Sequence, residues 1–228
     1  MATQETALTI KRNFTRTAQK FVTQFMNLPT GNVCDAQGRV GALDYRIKPV
    51  GGVSQFCGTA LTVDSGPRDN LAAWAALESA RPGDIVLIAT GGHLASSVVG
   101  DLYVGMAKNA GVAAIVTDGV VRDLPGINAV GIPVFARGIC PNSPWKNGPG
   151  RVGLPIIIGG VSVNAGDIVV GDQDGVVVVE RRTAPAVADA LTAVLAKEKK
   201  MEAAVKAGMK VPGWLKEAYD AKGVRYLD

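Results

Sequence analysis

Three short apolar runs that alternate with helical patterns constrain the fold more than any other feature of this chain. The runs are residues 57–64 (CGTALTVD), 84–90 (DIVLIAT) and 113–119 (AAIVTDG). Residues 69–84 between the first two predict a helix, and the residues from Gly92 to about Asn109 predict another before the third. Because strands that alternate with helices usually pair in parallel, the pattern predicts an α/β core.

The segments that flank this core predict further elements. Apolar residues at near-helical spacing predict a helix from about Asn13 to Leu28, which ends at the NLPTGN stop signal. Residues 151–181 carry short Val- and Ile-rich runs separated by GG, NAGD and DQDG, which predict β-hairpins. A closing helix is predicted from Ala184 to about Ala207. The loop at residues 140–150 (CPNSPWKNGPG) is either an internal boundary or a surface loop.

Residue types that are scarce in the chain exclude several kinds of site. His93 is the only histidine in 228 residues, so neither a zinc hydrolase ligand set nor a Ser-His-Asp triad is supported. The three cysteines are far apart and odd in number, which fits neither a disulfide framework nor a CxxC metal site. Neither a GxxxxGK[ST] nor a GxGxxG motif occurs, so nucleotide-driven chemistry is disfavoured.

Charge and hydropathy predict the cellular location of the protein and exclude some classes of partner. The net charge of +4 is small and aromatic residues make up only 5% of the chain, so no nucleic-acid partner is predicted. No signal peptide and no run of eighteen apolar residues is present. We therefore expect a cytoplasmic protein without a membrane partner, long enough for one domain or for two tightly fused halves.

Two charged groups occupy positions where α/β proteins bind ligands. Asp101 is separated by twenty residues from the pair Arg122 and Asp123. If one group follows a strand and the other begins the helix after the neighbouring strand, both lie at one rim of a parallel sheet. Amides from Gly100 to Tyr103 (Gly100, Asp101, Leu102 and Tyr103) could then cradle a small carboxylate at the helix N-terminus.

The chemistry of these side chains suits a small anionic ligand. The planar guanidinium of Arg122 can grip a carboxylate or an enolate oxygen. Asp123 alone is too little for zinc, but Mg²⁺ commonly takes one or two protein carboxylates and fills its other positions with water and substrate oxygens. The alternatives are structural: Asp101 can be a simple helix N-cap, and Arg122 with Asp123 can be a surface turn.

The sequence resembles the RraA-like family, which includes class II pyruvate aldolases. The resemblance rests on the spacing of Asp101, Arg122 and Asp123 and on three further segments: DAQGR (35–39), KNGPGRVGLPI (146–156) and GDQDGVVVV (171–179). It covers about residues 30–205. The resemblance implies a single domain over residues 1–228, with a β/β/α swivelling-type fold in which helices flank a central mixed sheet, an N-terminal helix and a C-terminal helical extension.

The resemblance also implies an activity and a cofactor. Members cleave 4-hydroxy-4-methyl-2-oxoglutarate or 4-carboxy-4-hydroxy-2-oxoadipate, in aromatic compound catabolism, to pyruvate and a second 2-oxo acid, often with oxaloacetate decarboxylation as a side activity. In this scheme Asp123 holds Mg²⁺ or Mn²⁺, and Arg122 stabilises the pyruvate enolate. The amides of residues 100–103 hold the pyruvyl end, and Asp101 positions a water for proton transfer.

The family places a glutamate from the C-terminal helix of a neighbouring subunit near that water. Glu198 and Glu202 are the candidates here. Glu202 can pair with Lys206 four residues later, whereas Glu198 meets Glu202 at that spacing and gains no such support. Glu198 is therefore the expected catalytic acid, in a homotrimer or hexamer with active sites at subunit interfaces.

Two questions stay open from the sequence. Some relatives bind and inhibit the endoribonuclease RNase E and can retain the same charged residues, so a non-enzymatic regulator is the alternative function. The residues that would distinguish a methyl from a carboxymethyl group at C4 are expected among Arg68, Arg151 and the C-terminal tail.

Overall fold

The computed structural model of the protein describes residues 7–227, and the chain divides into two compact units, residues 1–191 and 192–228. The strands, in chain order, are β1 (Leu8–Ile10), β2 (Lys48–Pro49), β3 (Phe56–Asp64), β4 (Asp84–Ala89), β5 (Ser97–Val99), β6 (Ala114–Thr117), β7 (Val120–Val121), β8 (Val134–Ala136), β9 (Gly150–Val152), β10 (Ile156–Ile158), β11 (Val161–Val163), β12 (Ile168–Asp172) and β13 (Gly175–Val179). The α-helices are α1 (Gln19–Phe25), α2 (Thr30–Ala36), α3 (Leu71–Ala76), α4 (Asp101–Asn109), α5 (Leu124–Val130), α6 (Ala184–Lys206) and α7 (Trp214–Lys222).

A mixed sheet forms the centre of the first unit. Its strand order is β1-β9-β3-β4-β6-β8-β2, and β12 also pairs with β3 and with β13. The four strands β3, β4, β6 and β8 are parallel, as the alternating pattern predicts. The predicted strands at residues 57–64, 84–90 and 113–119 correspond to β3, β4 and β6. Two small sheets complete the unit, an antiparallel β10–β11 hairpin and a parallel β5–β7 pair.

The two faces of the sheet are covered by different kinds of element. On β4, Val86 and Ile88 pack in a core with residues of α3 and α4, whereas Ile85 and Leu87 pack in a second core with residues of β10, β11, β12 and β13. All four of these side chains are fully buried, which explains why the strand reads as a continuous apolar run. The helix, sheet and second β layers agree with the predicted β/β/α arrangement, and a mixed sheet flanked by helices is confirmed.

The N-terminal helix is shorter than predicted. Only Gln19–Phe25 is helical, rather than Asn13 to Leu28. The preceding residues are held in a non-helical conformation by tertiary contacts: Arg16 donates from Nε and Nη2 to the carboxylate of Asp84 at 2.7 and 2.6 Å, and Thr17 Oγ1 donates to Gly166 O at 2.7 Å. Because the Asp84 carboxylate is almost completely buried, leaving it without Arg16 would cost several kcal/mol, which is more than the helix propensity of these residues contributes.

The helix predicted after Gly92 begins later than expected, at Asp101. The β-branched residues just before it instead form β5, which pairs with β7. Ser97 N also donates to Asn142 O at 2.9 Å, so this strand lies between β7 and the loop at residues 140–150. That loop lies inside the first unit. The loop and strand together place the N-terminus of α4 at the edge where the parallel strands end.

The segments after the core match the sequence patterns. The β9, β10–β11 and β12–β13 strands occupy the region predicted as hairpins, and α6 ends one residue before its predicted end.

Near the edge of the sheet, Asp44 accepts hydrogen bonds from Arg46 and from Arg137. Within residues 7–227, no helix is long and apolar enough to cross a membrane.

Candidate active site

The short parallel pair β5 and β7 brings the two charged groups together. Val99 of β5 is in register with Val121 of β7, and the next residues are Gly100 on one strand and Arg122 on the other. Arg122 N donates to Val99 O at 3.1 Å, which fixes the two strand ends to each other. The sequence analysis predicted that neighbouring strands of the main sheet bring Asp101 and the Arg122–Asp123 pair to one rim. In the structure, the short β5–β7 pair joins them instead.

A pocket of about 250 Å³ lies at this junction. Six residues proposed from the sequence line it: Gly100, Asp101, Leu102, Tyr103, Arg122 and Asp123. Its wall also includes Asn70 and Trp74 from the α3 region, Met106 from α4, and Ser143, Pro144 and Lys146 from the loop at residues 140–150. The pocket therefore combines two carboxylates, two cationic side chains and the start of a helix.

The first turn of α4 supplies backbone donors to the pocket. The first helical hydrogen bond runs from Val104 N to Gly100 O at 3.1 Å, so the amides of residues 101–103 precede the helical ladder. One of these amides is already engaged, because Leu102 N donates to Asp101 Oδ1 at 2.7 Å. The amides of Asp101 and Tyr103, with the positive end of the helix dipole, are the donors that suit an anionic ligand.

Two glycines make room for the carboxylates of the site. A Cβ atom on Gly100 would overlap Asp123 Oδ2, and a Cβ atom on Gly126 would overlap the carboxylate of Asp101. Any larger residue at either position would therefore displace a charged group of the pocket. The sequence predicts that Gly100 lets a ligand approach the backbone closely. The structure adds a second reason for glycine at this position, because the Asp123 carboxylate also lies close to it.

Arg122 is held between two partners. Its Nε lies 3.2 Å from Asp123 Oδ2, and its Nη1 donates to Ser143 Oγ at 2.6 Å. The two side chains of the ion pair are 39% and 43% exposed, so both are accessible from the pocket. The guanidinium is thereby oriented, while Nη2 has no hydrogen-bond partner among the described residues.

Asp123 has an unusual backbone conformation. Its φ and ψ of 60° and 44° lie in the left-handed helical region, which costs a non-glycine residue on the order of 1 kcal/mol. The residue is the N-cap of α5, and its carbonyl accepts from Ile127 N at 3.0 Å. Such strain recurs at functional sites, where it fixes the direction of a side chain; here it directs the carboxylate towards Gly100 and Arg122.

Tyr103 contributes its backbone to the pocket and its side chain to the core. The side chain is 1% exposed, its hydroxyl donates to Ala73 O at 2.9 Å, and burial raises the pKa of the phenol above its ordinary value. Its ring meets Trp74 edge to face with centroids 5.1 Å apart. The phenol therefore joins α4 to α3 and is not available for acid-base chemistry.

The donor set at the rim fits a hard divalent cation. Within residues 7–227, no group of three or more His, Cys, Asp and Glu side chains could hold a metal ion, so a closed protein cage is not formed there. The carboxylates that line the pocket are those of Asp101 and Asp123. One or two carboxylates with water and ligand oxygens is the coordination that Mg²⁺ and Mn²⁺ accept and that a structural zinc site does not.

Several pocket residues carry no signal in the sequence. Trp74 and Met106 are ordinary apolar positions of helical patterns, and Lys146 begins the segment KNGPGRVGLPI, to which the resemblance assigns no ligand-binding role. Arg68 and Arg151, considered for ligand recognition, do not line the pocket; Arg151 pairs with Asp64 instead. Glu198 and Glu202 belong to the second unit, on α6, and Glu198 as catalytic acid stays a prediction.

The fold and pocket define an α/β protein whose rim pocket combines a helix N-terminus, an arginine and two carboxylates, a set of groups that suits a small anionic ligand. The RraA-like family model, described as Aldolase/RraA, matches residues 30–178. The chain belongs to this family.

Relatives and solved structures that are similar to the chain carry different names. A protein of Halalkalibacterium halodurans, provisionally named a 4-hydroxy-4-methyl-2-oxoglutarate aldolase, is 39% identical over 161 residues, which cover 71% of this chain and 77% of the relative. An uncharacterised Pseudomonas syringae protein of known crystal structure superposes with a TM-score of 0.75 at 26% identity and covers 86% of this chain and 97% of its own. Streptomyces coelicolor RraAS2, described as an unusual member of the RNase ES inhibitor RraA family, has a TM-score of 0.72 at 27% identity and covers 84% and 100%.

Proposed function

We propose that the protein is a metal-dependent pyruvate aldolase, a carbon-carbon lyase that acts on 4-hydroxy-2-oxo acids. The observation that carries the proposal is the convergence of Asp101, Arg122 and Asp123 on one pocket at the N-terminus of α4. The similarity to relatives named as 4-hydroxy-4-methyl-2-oxoglutarate aldolases supports the same reaction class. Oxaloacetate decarboxylation is the expected side activity, because both reactions pass through the enolate of pyruvate.

The reaction divides into bond cleavage and protonation. A base removes the proton of the C4 hydroxyl, the C3–C4 bond breaks, and its electrons move to the 2-oxo group to give the enolate of pyruvate and a second 2-oxo acid. A proton delivered to C3 then converts the enolate to pyruvate. Negative charge grows on the enolate oxygen in the first step, so the main demand on the protein is a preorganised positive field at that oxygen.

Arg122 meets this demand in the proposed mechanism. Its guanidinium is oriented by Asp123 and by Ser143, so little reorganisation is needed when charge develops. The amides of Asp101 and Tyr103 would bind the carboxylate of the pyruvyl end at the start of α4. Asp101, whose carboxylate is fixed by the Leu102 amide at 2.7 Å, would position a water that carries the proton.

Asp123, with Asp101 nearby, would hold the divalent cation. When bound, Mg²⁺ or Mn²⁺ supplies Lewis-acid stabilisation of the 2-oxo group. Glu198 would complete the proton-transfer path from a neighbouring subunit, and a homotrimer or hexamer with shared active sites is part of the proposal. The proposed reaction does not require a lysine that forms a Schiff base with the substrate.

A second candidate function is inhibition of an RNase E-type endoribonuclease. The similarity to RraAS2 and to the RNA-processing inhibitor RraA supports it. This function would use the protein surface and would not depend on the pocket. Inhibition of RNase E cleavage that persists in an Arg122→Ala variant, without any aldolase activity in the wild type, would favour the regulator.

The test of the proposed enzyme is pyruvate release, followed with lactate dehydrogenase and NADH. The substrates are 4-hydroxy-4-methyl-2-oxoglutarate, 4-carboxy-4-hydroxy-2-oxoadipate and oxaloacetate, each with Mg²⁺ or Mn²⁺ and again with excess EDTA. We expect release with metal and its loss with EDTA. Folded, metal-supplied protein that releases no pyruvate from any of the three would refute the proposal.

A further inference from the structure

Arginine and aspartate side chains form bidentate pairs at several places in this structure. In a bidentate pair, two nitrogens of one guanidinium bind the same carboxylate. Three arginines donate from both Nε and Nη2 in this way, at distances between 2.5 and 3.1 Å: Arg16 to Asp84, Arg46 to Asp44 and Arg151 to Asp64. The bidentate pair is therefore a recurrent arrangement when an arginine lies beside an aspartate in this protein.

The pair of Arg122 and Asp123 in the pocket is not bidentate. Arg122 Nε lies 3.2 Å from Asp123 Oδ2, but Nη2 makes no hydrogen bond to the carboxylate. A different nitrogen, Nη1, donates to Ser143 Oγ at 2.6 Å. Because the guanidinium is planar and rigid, this bond fixes the rotation of the whole group. Asp123 Oδ1 accordingly has no hydrogen-bond partner among the described residues.

The backbone on both sides of Ser143 is held in place by the rest of the first unit. On one side, Asn142 O accepts from Ser97 N at 2.9 Å and from Ser97 Oγ at 2.8 Å. On the other side, Trp145 N donates to Arg68 O at 2.8 Å. The loop is thus fixed within two residues of Ser143 in each direction, so the Ser143 hydroxyl is a fixed acceptor that does not follow a movement of the guanidinium.

The two partners of Arg122 differ in their effect on a bound cation. In a bidentate pair with Asp123, the guanidinium would occupy the carboxylate, and a divalent cation would have to displace it. The Ser143 hydroxyl is neutral, so it holds the guanidinium without competing for the cation. A divalent cation on Asp123 also repels the guanidinium, and Ser143 is then the acceptor that still holds Arg122 at the pocket.

We infer that Ser143 is a positioning residue that sets the affinity of the site for its divalent cation, because it prevents Arg122 from forming a bidentate pair with Asp123. The inference rests on the metal-dependent function proposed above and assigns to Ser143 a role in metal binding. Without the Ser143 hydroxyl, the guanidinium turns onto the carboxylate and competes with the cation. A partly exposed ion pair changes an equilibrium constant by up to about fivefold, which sets the size of the expected effect.

The test is Mn²⁺ binding, because the electron paramagnetic resonance signal of free Mn²⁺ gives the dissociation constant without substrate or turnover. We expect Ser143→Ala to raise the dissociation constant by about three- to fivefold, and Ser143→Thr, which keeps a hydroxyl, to bind Mn²⁺ like the wild type. Asp123→Ala should lose the binding. Ser162→Ala makes the same change at an exposed residue of β11 outside the pocket and should have no effect.

A double-mutant cycle identifies the route of the effect. In an Arg122→Ala background the competing guanidinium is absent, so adding Ser143→Ala should leave the Mn²⁺ dissociation constant unchanged. A purely structural role of Ser143 would give the same weakening in both backgrounds. In the pyruvate assay, the Mn²⁺ concentration that gives half-maximal release by Ser143→Ala should rise by the same three- to fivefold factor.

The outcomes separate the inference from the proposed function. Equal Mn²⁺ affinity in Ser143→Ala and the wild type, or an equal weakening when Arg122 is already alanine, would overturn the inference while leaving the aldolase intact. Mn²⁺ binding that is absent from the wild type, or unchanged in Asp123→Ala, would overturn the metal site of the proposed function and the inference with it. A wild type that shows the expected Mn²⁺ binding but releases no pyruvate from any of the three substrates would overturn the proposed function alone.

Discussion

Replacement of Gly100 by alanine should separate catalysis from folding. An added Cβ atom would overlap Asp123 Oδ2 and would lie 3.2 Å from Arg122 Cγ and 3.3 Å from Arg122 Nε. To restore van der Waals separation, the Asp123 carboxylate would have to move by about 1 Å. The carboxylate is the end of a flexible side chain, so the movement costs little stability, but it displaces the group proposed to hold the cation and to orient Arg122.

The expected loss of activity follows from that displacement. A misplacement of about 1 Å in a catalytic group can cost about 100-fold in rate, which corresponds to about 2.7 kcal/mol of transition-state stabilisation. Gly100 has an extended backbone, with φ of −133° and ψ of −169°, so alanine introduces no backbone strain. We therefore expect kcat/KM for pyruvate release to fall by about 100-fold while the midpoint of thermal unfolding stays within a few degrees.

Gly31→Ala is the matched control. Gly31 lies in α2, and nothing lies within 4 Å of an added Cβ atom, so this variant should retain wild-type activity. Both variants are measured in the lactate dehydrogenase assay with saturating Mg²⁺, beside circular dichroism melting curves. A Gly100→Ala enzyme with kcat/KM within threefold of the wild type would refute the account of Gly100 and Asp123.

Three further predictions concern stability and assembly. Arg16→Met leaves the buried Asp84 carboxylate without its partner and should lower the free energy of unfolding by about 3 kcal/mol, measured by urea denaturation; an unchanged midpoint would contradict it. Hydrogen bonds from Arg46 hold the pKa of Asp44 well below its usual range, so the stabilisation is present above about pH 4 and is lost as the pH falls further; Asp44→Asn should flatten the loss of unfolding free energy between pH 5 and pH 2, and a slope equal to that of the wild type would argue against it. Mixed oligomers of Asp123→Ala and Glu198→Gln subunits should recover part of the activity that each variant lacks alone, and verified mixed oligomers without recovery would exclude a shared site.

The core of the fold was predictable from the sequence because its strands are buried on both faces. On β4, four consecutive apolar residues, from Ile85 to Ile88, are fully buried, and such a run has few alternatives to a central parallel strand. The N-terminal helix was predicted to be too long, because a contact with a residue far along the chain determines the conformation of its first residues. Residues 13–18 have helical spacing, yet Arg16 reaches a carboxylate 68 residues away, and no local pattern contains that partner.

The sequence predicted only part of the candidate site, namely Asp101, Arg122, Asp123 and the amides of residues 100–103. The spacing between Asp101 and the Arg122–Asp123 pair, combined with parallel strand pairing, placed these side chains at one rim. Trp74 and Lys146 could not be found in this way, because their position in the pocket depends on how α3 packs on α4 and on how the loop at residues 140–150 folds back. The left-handed backbone of Asp123 likewise has no signature in the sequence, since aspartate occurs in many turns.

The central claim is that the pocket stabilises the enolate of pyruvate, and proton exchange tests it most directly. Pyruvate is incubated with the protein and Mg²⁺ in D₂O, and the loss of its methyl proton signal is followed by NMR. The account predicts metal-dependent exchange of the C3 protons for deuterium by the wild type, slowed by about 100-fold or more in Arg122→Lys because an oriented donor to the enolate oxygen is lost. Folded, metal-supplied wild-type protein that leaves the methyl signal at the rate of the protein-free control would contradict it.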